Sequence, residues 1–242
     1  MNLLLLEPGE LRDDGTARLA GRRALHAREV LGTAAGARLR VGLVGGLLGE
    51  AEVLSSTREE LVLAARLGSP PPPAVPLQLL LAMPRPKVLR RVLQAVASLG
   101  VKRVVLCGSY RVERSYFGTP VLAPERLRGE LLLGLEQGGD TVLPRVEVRR
   151  LLKPLVEDEL EELLPAPVRL LAHPREAGPL PPPPAGGEVA LAIGPEGGFT
   201  AYEVDLLGAH GYRAFSLGPR VLRVDTAVSF AAGKVLEWMG RG

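Results

Sequence analysis

Four consecutive prolines in the first half of the chain restrict its fold more than any other feature of the sequence. They lie within the segment Ser69–Pro76. Because proline has no backbone N–H and a fixed φ angle, such a run can join neither a helix nor a central strand. The sequence therefore predicts a semi-rigid linker at residues 69–76, between one domain at residues 1–68 and a second at residues 77–242.

The segment before the linker has the pattern of a small β-barrel. Apolar residues alternate with polar or small ones over Arg38–Leu43, and Gly45-Gly46 then allows a tight turn into a run that ends near Val53. Glu60–Ala65 supplies a further extended segment. Met1–Glu7 has no cationic leader, so we expect a first strand there and not a signal peptide. Short strands joined by glycine turns predict a barrel.

Beyond the linker, strands and helices alternate. The apolar run Leu77–Met83 predicts a buried strand. Further strands are predicted at Val104–Leu106, Val146–Val148, Val168–Ala172, Val189–Ile193 and Arg213–Leu217. Helical periodicity predicts helices at Pro86–Leu99, Glu125–Leu135, Pro154–Leu164, Tyr202–Ala209 and Thr226–Met239. This alternation predicts an α/β sheet covered by helices on both faces. In such sheets ligands bind just beyond the carboxyl ends of the strands.

Composition excludes several classes of protein. No run of about 18 apolar residues occurs, so no membrane span is expected. Cys107 is the only cysteine, which excludes an internal disulfide and a cysteine-built zinc site and makes a cytoplasmic location the expectation. His26, His173 and His210 are far apart in sequence, so no metal is expected. The net charge is +3, and most of the positively charged residues are arginines, which permits a nucleic-acid partner without requiring one.

The loop Gly194–Thr200 follows a predicted strand and contains three glycines, which let a backbone approach a ligand closely. Thr200 and Glu203 form a capping-box pattern, so a helix is predicted to begin here with exposed amides near the loop. Neither the dinucleotide fingerprint nor the phosphate-binding loop of nucleotide triphosphatases occurs in the chain. Enzymes that use nicotinamide cofactors or nucleotide triphosphates are therefore disfavoured.

A second loop, Gly218–Arg223, repeats this arrangement between a predicted strand and the last predicted helix. Either loop alone is consistent with a routine strand-to-helix turn. Together they place glycine backbone and four charged side chains at the ends of strands that are close in sequence. These side chains are Glu196, Arg220, Arg223 and Asp225.

The two loops carry a family resemblance. Ile193–Thr200 followed by Leu217–Ala227 closely resembles the signature of the bacterial 16S rRNA uridine-N3 methyltransferases (RsmE type), which belong to the SPOUT class of S-adenosylmethionine-dependent RNA methyltransferases. The resemblance extends more weakly to Leu171–Pro174, to Glu136-Gln137 and to the β-rich first domain. It covers nearly the whole chain.

The resemblance implies a fold, an activity and a ligand. The fold is an α/β domain with a deep trefoil knot, preceded by a small PUA-like β-barrel that binds RNA, and such domains pair as homodimers. The activity is S-adenosylmethionine-dependent methylation of uridine N3 in 16S ribosomal RNA, either free or within the small subunit. By this resemblance the cofactor is held mainly by the backbone of three loops, at Leu171, Ala172, His173, Gly194, Pro195, Glu196, Gly197, Leu217, Gly218 and Leu222.

Catalysis at uridine N3 needs help, because this nitrogen carries a proton at neutral pH. Glu196 and Asp225 are the candidate carboxylates. Arg223, and after it Arg220, is the candidate for stabilising negative charge on the uracil oxygens. Structural alternatives stay open for both carboxylates: Glu196 can tie its loop through backbone amides, and Asp225 can cap the last helix.

RNA contacts are expected outside the cofactor loops, from two groups of arginines. Basic and aromatic residues interleave there, which suits contact with phosphates and stacking on bases, although a solvated loop is the alternative. The groups are Arg22, Arg23 and Arg28 around His26, and Arg111 and Arg114 beside Tyr110, Tyr116 and Phe117. Two other functions stay open: methylation at another RNA position, such as a ribose 2′-hydroxyl, and a non-catalytic role in ribosome assembly.

Overall fold

The computed structural model describes residues 3–21, 23–25, 27, 34–173, 180 and 187–240. The chain divides into two compact units, one made of residues 1–73 and 131–143 and the other of residues 74–130 and 144–242. The division after Pro73 falls within the proline run. Residues 131–143 group with the first unit, although they follow the linker in sequence. The domain boundaries predicted from the sequence stay a prediction.

The first unit contains a five-stranded sheet in the order β1-β3-β4-β5-β2. Strand β1 pairs with β3 in parallel, and the other neighbours are antiparallel. Apolar side chains from all five strands, such as Leu6, Leu19 and Leu63, form one buried cluster. The strands are β1 (Leu4–Leu6), β2 (Thr16–Ala20), β3 (Arg38–Leu43), β4 (Leu48–Ser56) and β5 (Glu60–Ser69).

Residues 131–143 join the first unit through contacts with the turn between β3 and β4. The Thr141 hydroxyl donates to the carbonyl oxygen of Gly46 at 2.6 Å. The Gly45 amide donates to the Thr141 carbonyl oxygen at 2.8 Å. Thr141 is fully buried by this packing.

The second unit contains a six-stranded sheet in the order β11-β9-β10-β6-β7-β8. Every neighbouring pair in this sheet is parallel. The predicted α/β fold with a parallel sheet is therefore confirmed. The strands are β6 (Leu77–Ala82), β7 (Arg103–Cys107), β8 (Arg145–Arg149), β9 (Val168–Ala172), β10 (Val189–Ile193) and β11 (Tyr212–Phe215).

The helices follow the predicted positions to within one residue, apart from three helices that differ further. The helix predicted at Glu125–Leu135 continues to Gly138, three residues further than predicted. The predicted helix Pro154–Leu164 contains a wide π-helical turn at Leu155–Glu159, which brings the buried side chains of Leu155 and Leu160 to the same face although they are five residues apart. The last helix begins at Val224, two residues earlier than predicted. The helices are α1 (Pro86–Ser98), α2 (Pro124–Gly138), α3 (Leu152–Pro154), α4 (Leu160–Leu163), α5 (Ala201–Ala209) and α6 (Val224–Trp238).

Helices cover both faces of the parallel sheet. Alternate strand residues such as Leu80, Val105 and Ala192 form one buried cluster with α4, α5 and the turn before α4. On the opposite face, α6 packs against β10 and α1. Because all six strands are parallel, the loops that leave their carboxyl ends lie along a single edge of the sheet.

The close approach of two strand ends generates a first prediction, that Gly108→Ala destabilises the second unit. Gly108 directly follows β7, and a Cβ atom there would lie 1.9 Å from the carbonyl oxygen of Arg150. Since that oxygen belongs to the backbone just after β8, the two strand ends would have to separate. We expect the free energy of unfolding to fall by at least about 1–3 kcal/mol, the usual cost of overpacking, and thermal denaturation to show a Tm several degrees lower.

The matched control is Gly118→Ala, because no atom lies within 4 Å of a Cβ atom at Gly118. Its Tm should equal that of the wild-type protein. A wild-type Tm in Gly108→Ala would contradict the close approach of the two loops.

Candidate active site

A cavity of about 560 Å³ lies at the carboxyl ends of β9, β10 and β11. Ligand pockets in proteins typically have about 300–1,000 Å³. Its wall is formed by the ends of β9 and β10, the two glycine loops, the first turns of α5 and α6, and one arginine of the loop after β7. The lining residues are Arg111, Ala172, His173, Ile193, Gly194, Pro195, Glu196, Gly197, Gly198, Phe199, Ala201, Val204, Leu217, Gly218, Arg220, Val221, Leu222, Val224 and Ala227.

The first glycine loop, Gly194–Thr200, folds tightly on itself. The Gly198 amide donates to the Pro195 carbonyl oxygen at 2.8 Å and closes a turn. A Cβ atom at Gly194 would lie 3.1 Å from both the backbone nitrogen and the ring of Phe199. Glycine is thus the residue that lets this loop stay closed above the buried Phe199 ring.

The predicted capping box at the end of this loop is confirmed. Thr200 is the N-cap of α5, and its hydroxyl accepts from the Glu203 amide at 3.3 Å. The Glu203 carboxylate accepts from the Thr200 amide at 2.8 Å. This carboxylate is almost fully buried, and its other oxygen accepts from the Tyr110 amide at 2.8 Å. Glu203 therefore connects the first glycine loop with the loop after β7.

The second glycine loop starts earlier than predicted, because β11 ends at Phe215 and not at Leu217. The Ser216 hydroxyl accepts from the Gly218 amide at 3.0 Å, and the Lys234 ammonium of α6 donates to the Ser216 carbonyl oxygen at 2.8 Å. Gly218 has a φ angle of +118°, which only glycine adopts without strain. The Lys234 contact from α6 and the positive φ angle of Gly218 thus fix the backbone at the start of this loop.

The residues assigned to the cofactor by resemblance lie around this cavity, with one exception. All of them line it except Leu171, whose side chain is buried in the sheet core. The end of β9 is joined to the end of β11, since the His173 amide donates to the Phe215 carbonyl oxygen at 3.0 Å. Their role in cofactor binding stays a prediction.

The two candidate carboxylates have different surroundings. Glu196 lines the cavity, and its side chain accepts from the Arg85 amide at 3.2 Å. Asp225 lies outside the lining and forms an ion pair with Arg91 of α1, with an Oδ2–Nε distance of 2.9 Å. The alternative that Asp225 caps the last helix is wrong, because α6 begins at Val224 and its N-cap is Arg223.

The candidate arginines also differ in their position relative to the cavity. Arg220 lines the cavity, whereas Arg223 is exposed and is not part of the wall. Arg111, predicted to contact RNA, lines the cavity as well, and its guanidinium donates to the Gly197 carbonyl oxygen. Arg114 is exposed on the short helical turn Arg114–Gly118.

The arginines predicted in the first unit are only partly described. Arg22, Arg28 and the neighbouring His26 lie outside the described residues. The Arg23 guanidinium forms an ion pair with Glu10 at 2.6 Å and donates to the Leu5 carbonyl oxygen. These contacts give Arg23 a structural role, and its contact with RNA stays a prediction.

Sequence reasoning missed the part of the cavity wall that the helices supply. Val204 of α5 and Ala227 of α6 line the cavity, but in the sequence they are ordinary apolar residues near the beginnings of helices. It also missed the ion pair between Arg91 and Asp225. Arg91 and Asp225 are far apart in the chain, and no local pattern in the sequence predicts such an ion pair.

Metal binding and membrane insertion have no visible basis in the part of the chain that the structure describes. Within it, no group of three histidine, cysteine, aspartate or glutamate side chains could hold a metal ion. Nor does it contain a helix that is long and apolar enough to cross a membrane.

Comparison with known proteins decides the family. The RNA methyltransferase domain family matches residues 71–236, which include both glycine loops and the end of β9. The chain belongs to this family. The ribosomal RNA small subunit methyltransferase E of Treponema pallidum (strain Nichols) is 34% identical to it over 246 residues, covering 98% of this chain and 91% of that protein. The resemblance found from the two loops is thereby confirmed.

Two solved structures share the fold of this RNA methyltransferase over nearly its whole length. A putative methyltransferase from Legionella pneumophila, in complex with bound S-adenosylmethionine, has a TM-score of 0.75 and 23% identity, covering 98% of this chain and 97% of that one. The ribosomal RNA small subunit methyltransferase E of Neisseria gonorrhoeae, bound to S-adenosylmethionine, has a TM-score of 0.74 and 19% identity, with the same coverage.

The burial of Cys107 at the carboxyl end of β7 generates a second prediction. Burial raises the pKa of the Cys107 thiol, and the nearby Glu203 carboxylate raises it further. Since the thiolate is the reactive form, the folded protein should not react with a thiol reagent as the pH rises through the ordinary cysteine pKa of about 8.5. After denaturation, one thiol per chain should react in a colorimetric assay.

A positive control is Ser55→Cys, which adds a cysteine at an exposed position. This variant should show one reactive thiol per folded chain. Rapid reaction of Cys107 in the folded wild-type protein would contradict the packing of β7 against the helices behind it.

Proposed function

We propose that this protein transfers a methyl group from S-adenosylmethionine to N3 of a specific uridine in the 16S ribosomal RNA of the small subunit. The observation that carries the proposal is the cavity whose wall both glycine loops form, in a chain of the RNA methyltransferase family. The relative at 34% identity supports the choice of substrate, because its name specifies small-subunit ribosomal RNA. Two structures of the same fold, both bound to S-adenosylmethionine, support the choice of cofactor.

The residues of the cavity fit this cofactor. The volume of about 560 Å³ is that of a small-molecule site, and the wall combines backbone polar groups with apolar side chains such as Ile193 and Leu222. A Cβ atom at Gly197 would lie 3.0 Å from the Arg111 side chain, so the absence of a side chain at Gly197 lets Arg111 pack against this loop. The end of β9 and the two glycine loops would hold the cofactor, which supplies an electrophilic methyl group when bound.

On the substrate side, the protein has to assist loss of the N3 proton. Of the two candidate carboxylates, Glu196 lies in the cavity wall, whereas Asp225 is held by Arg91. This supports Glu196 as the group that accepts the proton and Asp225 as a group that positions the start of α6. Arg220 in the wall and Arg223 at the start of α6 are the cations that would stabilise negative charge on the uracil oxygens.

The finer architecture is part of the same proposal. We infer a trefoil knot in the second unit, since β9 lies between β10 and β11 while the following helix α6 packs back against β10 and α1. We infer a PUA-like barrel in the first unit, where a five-stranded sheet surrounds one apolar cluster. Exposed apolar side chains at Tyr202 and Phe230 support a homodimer. A cytoplasmic location follows from the substrate.

The proposed activity is tested with purified protein, S-adenosylmethionine that carries a labelled methyl group, and small ribosomal subunits that lack the modification. We expect the cofactor to bind with 1:1 stoichiometry in titration calorimetry. We expect labelled 3-methyluridine as the product in nucleoside analysis, since the site is suited to a flipped-out base.

Other outcomes of this experiment would indicate a different function. A ribose-methylated nucleoside would indicate a 2′-hydroxyl methyltransferase. Cofactor binding without any methyl transfer to free 16S ribosomal RNA or to subunits would favour a non-catalytic assembly factor.

The roles of the two arginines generate a further prediction. Arg220→Ala and Arg223→Ala are each expected to lower kcat by about 100-fold or more, the usual effect of removing a donor that stabilises developing negative charge. Affinity for S-adenosylmethionine should stay at the wild-type value in Arg223→Ala, because Arg223 lies outside the cavity wall, and should stay measurable in Arg220→Ala. Steady-state methyl transfer and titration calorimetry measure kcat and cofactor affinity separately.

The control is Arg103→Ala, which removes an exposed arginine at the amino end of β7, the end opposite the cavity. Its kcat should equal that of the wild-type protein. Full activity in either Arg220→Ala or Arg223→Ala would remove that arginine from the mechanism.

A further inference from the structure

The loop after β7, residues 108–112, contains a tyrosine whose side chain is almost fully exposed to solvent. The Tyr110 side chain is 86% exposed, the most exposed of the large hydrophobic side chains in the described part of the chain. Single exposed apolar residues are common on protein surfaces, so exposure alone assigns no role. The way in which this loop is held distinguishes Tyr110 from an ordinary surface residue.

The backbone around Tyr110 is fixed at successive positions. The Gly108 amide donates to the Arg149 carbonyl oxygen at 2.9 Å, and the Val112 amide donates to the Ser109 carbonyl oxygen at 3.0 Å. Between them, the Tyr110 amide donates to the Glu203 carboxylate at 2.8 Å. A large aromatic ring is therefore exposed to solvent on a backbone that is already ordered, which lowers the entropic cost of using it for binding.

The same loop is attached to the wall of the cavity. The Arg111 guanidinium donates to the Gly197 carbonyl oxygen, and Arg111 is itself a lining residue. Glu203 binds the Tyr110 amide and also caps the helix that begins at Thr200. Both contacts join the loop after β7 to the first glycine loop. Tyr110 therefore lies beside the opening of the proposed methylation site.

The surroundings of Tyr110 are positively charged. Arg111, Arg114 and Arg150 have no carboxylate partner among the described residues, and the Arg150 backbone contacts Gly108. The Arg150 guanidinium instead lies 5.9 Å from the centre of the Phe117 ring. Glu113 is the single acidic residue in residues 108–118, and the buried Glu203 carboxylate binds the Tyr110 amide, so three arginine cations outweigh two carboxylates around this loop.

An exposed ring next to uncompensated arginines suits an unpaired nucleotide. Bases stack on aromatic side chains regardless of their identity, while arginines bind the flanking phosphates. A methyltransferase that takes its target base out of the RNA stack also leaves neighbouring bases unstacked. An acidic protein surface would use the arginines but would gain little from a free aromatic face.

We propose that Tyr110 stacks on an unpaired base of the RNA substrate beside the target nucleotide, while Arg111, Arg114 and Arg150 contact the adjacent phosphates. This inference rests on the proposed function in one respect, that the substrate is RNA. It adds a binding residue outside the cofactor loops, and it assigns the buried Glu203 carboxylate to holding that residue at the rim of the cavity.

The test compares Tyr110→Ala with the matched variant Tyr110→Phe, which keeps the ring and removes only the hydroxyl. The Kd for a fluorescently labelled, unmodified 16S ribosomal RNA transcript is measured by anisotropy. We expect Tyr110→Ala to raise this Kd by about 5- to 150-fold, the range for loss of one stacked base. Tyr110→Phe should bind like the wild-type protein, and both variants should keep the wild-type affinity for S-adenosylmethionine and the wild-type oligomeric state.

Each other outcome overturns the inference. An unchanged Kd in Tyr110→Ala removes Tyr110 from RNA binding, and equal losses in both variants assign the effect to the hydroxyl. Weakened cofactor binding or a changed oligomeric state in Tyr110→Ala would give the ring a structural or protein-contact role. Since RNA binding is measured without methyl transfer, a tyrosine-dependent Kd in a protein that fails to methylate would contradict the proposed function and leave the inference standing.

Discussion

The parallel pairing of six strands is the constraint on which the rest of the second unit depends. In the register of this sheet, Ala172 of β9 pairs with both Ile193 of β10 and Phe215 of β11. The three strands therefore end at the same level, and the loops that follow them leave the sheet side by side. The cavity is the space between these loops, so its position follows from the register, and Arg111 and the first turns of α5 and α6 complete its wall.

Side chains from the flanking helices keep the loops at this edge in one arrangement. Glu203 of α5 accepts from the Thr200 amide at the end of the first loop and from the Tyr110 amide of the loop after β7. Lys234 of α6 donates to the Ser216 carbonyl oxygen at the start of the second loop. Arg91 of α1 holds Asp225 in the first turn of α6. The contacts of Glu203 and Lys234 fix the backbone of a loop, and the contact of Arg91 joins two helices at the end of the second loop. A site whose loops are held in this way can bind a ligand without first having to order its own backbone.

Local signals in the sequence predicted most of the second unit. Short, mainly apolar segments identified its strands, and the threonine and glutamate of the capping box identified the start of α5, because both signals act within a few residues. The strand Thr16–Ala20 was missed since it is short and buries only Ala17 and Leu19. The grouping of residues 131–143 with the first unit depends on contacts of Thr141 with a distant turn, which no local pattern reveals.

The candidate site was predictable to a similar extent. The glycine loops were visible as spacing, and their family resemblance identified the ligand class. The surroundings of the charged residues were not visible, because they depend on which elements are neighbours in space. Arg91 and Asp225 are an example, since their ion pair joins α1 to the first turn of α6. Arg111 is another, since its contact with Gly197 joins two loops that are far apart in the chain.

The central claim is that backbone of the two glycine loops holds S-adenosylmethionine. Hydrogen exchange of the backbone amides, measured by mass spectrometry with and without the cofactor, tests it most directly. The account predicts slower exchange in residues 193–199 and 216–222 and at the end of β9, with unchanged exchange in the sheet of the first unit. Cofactor binding that leaves both loops unprotected, or that protects other residues instead, would contradict it.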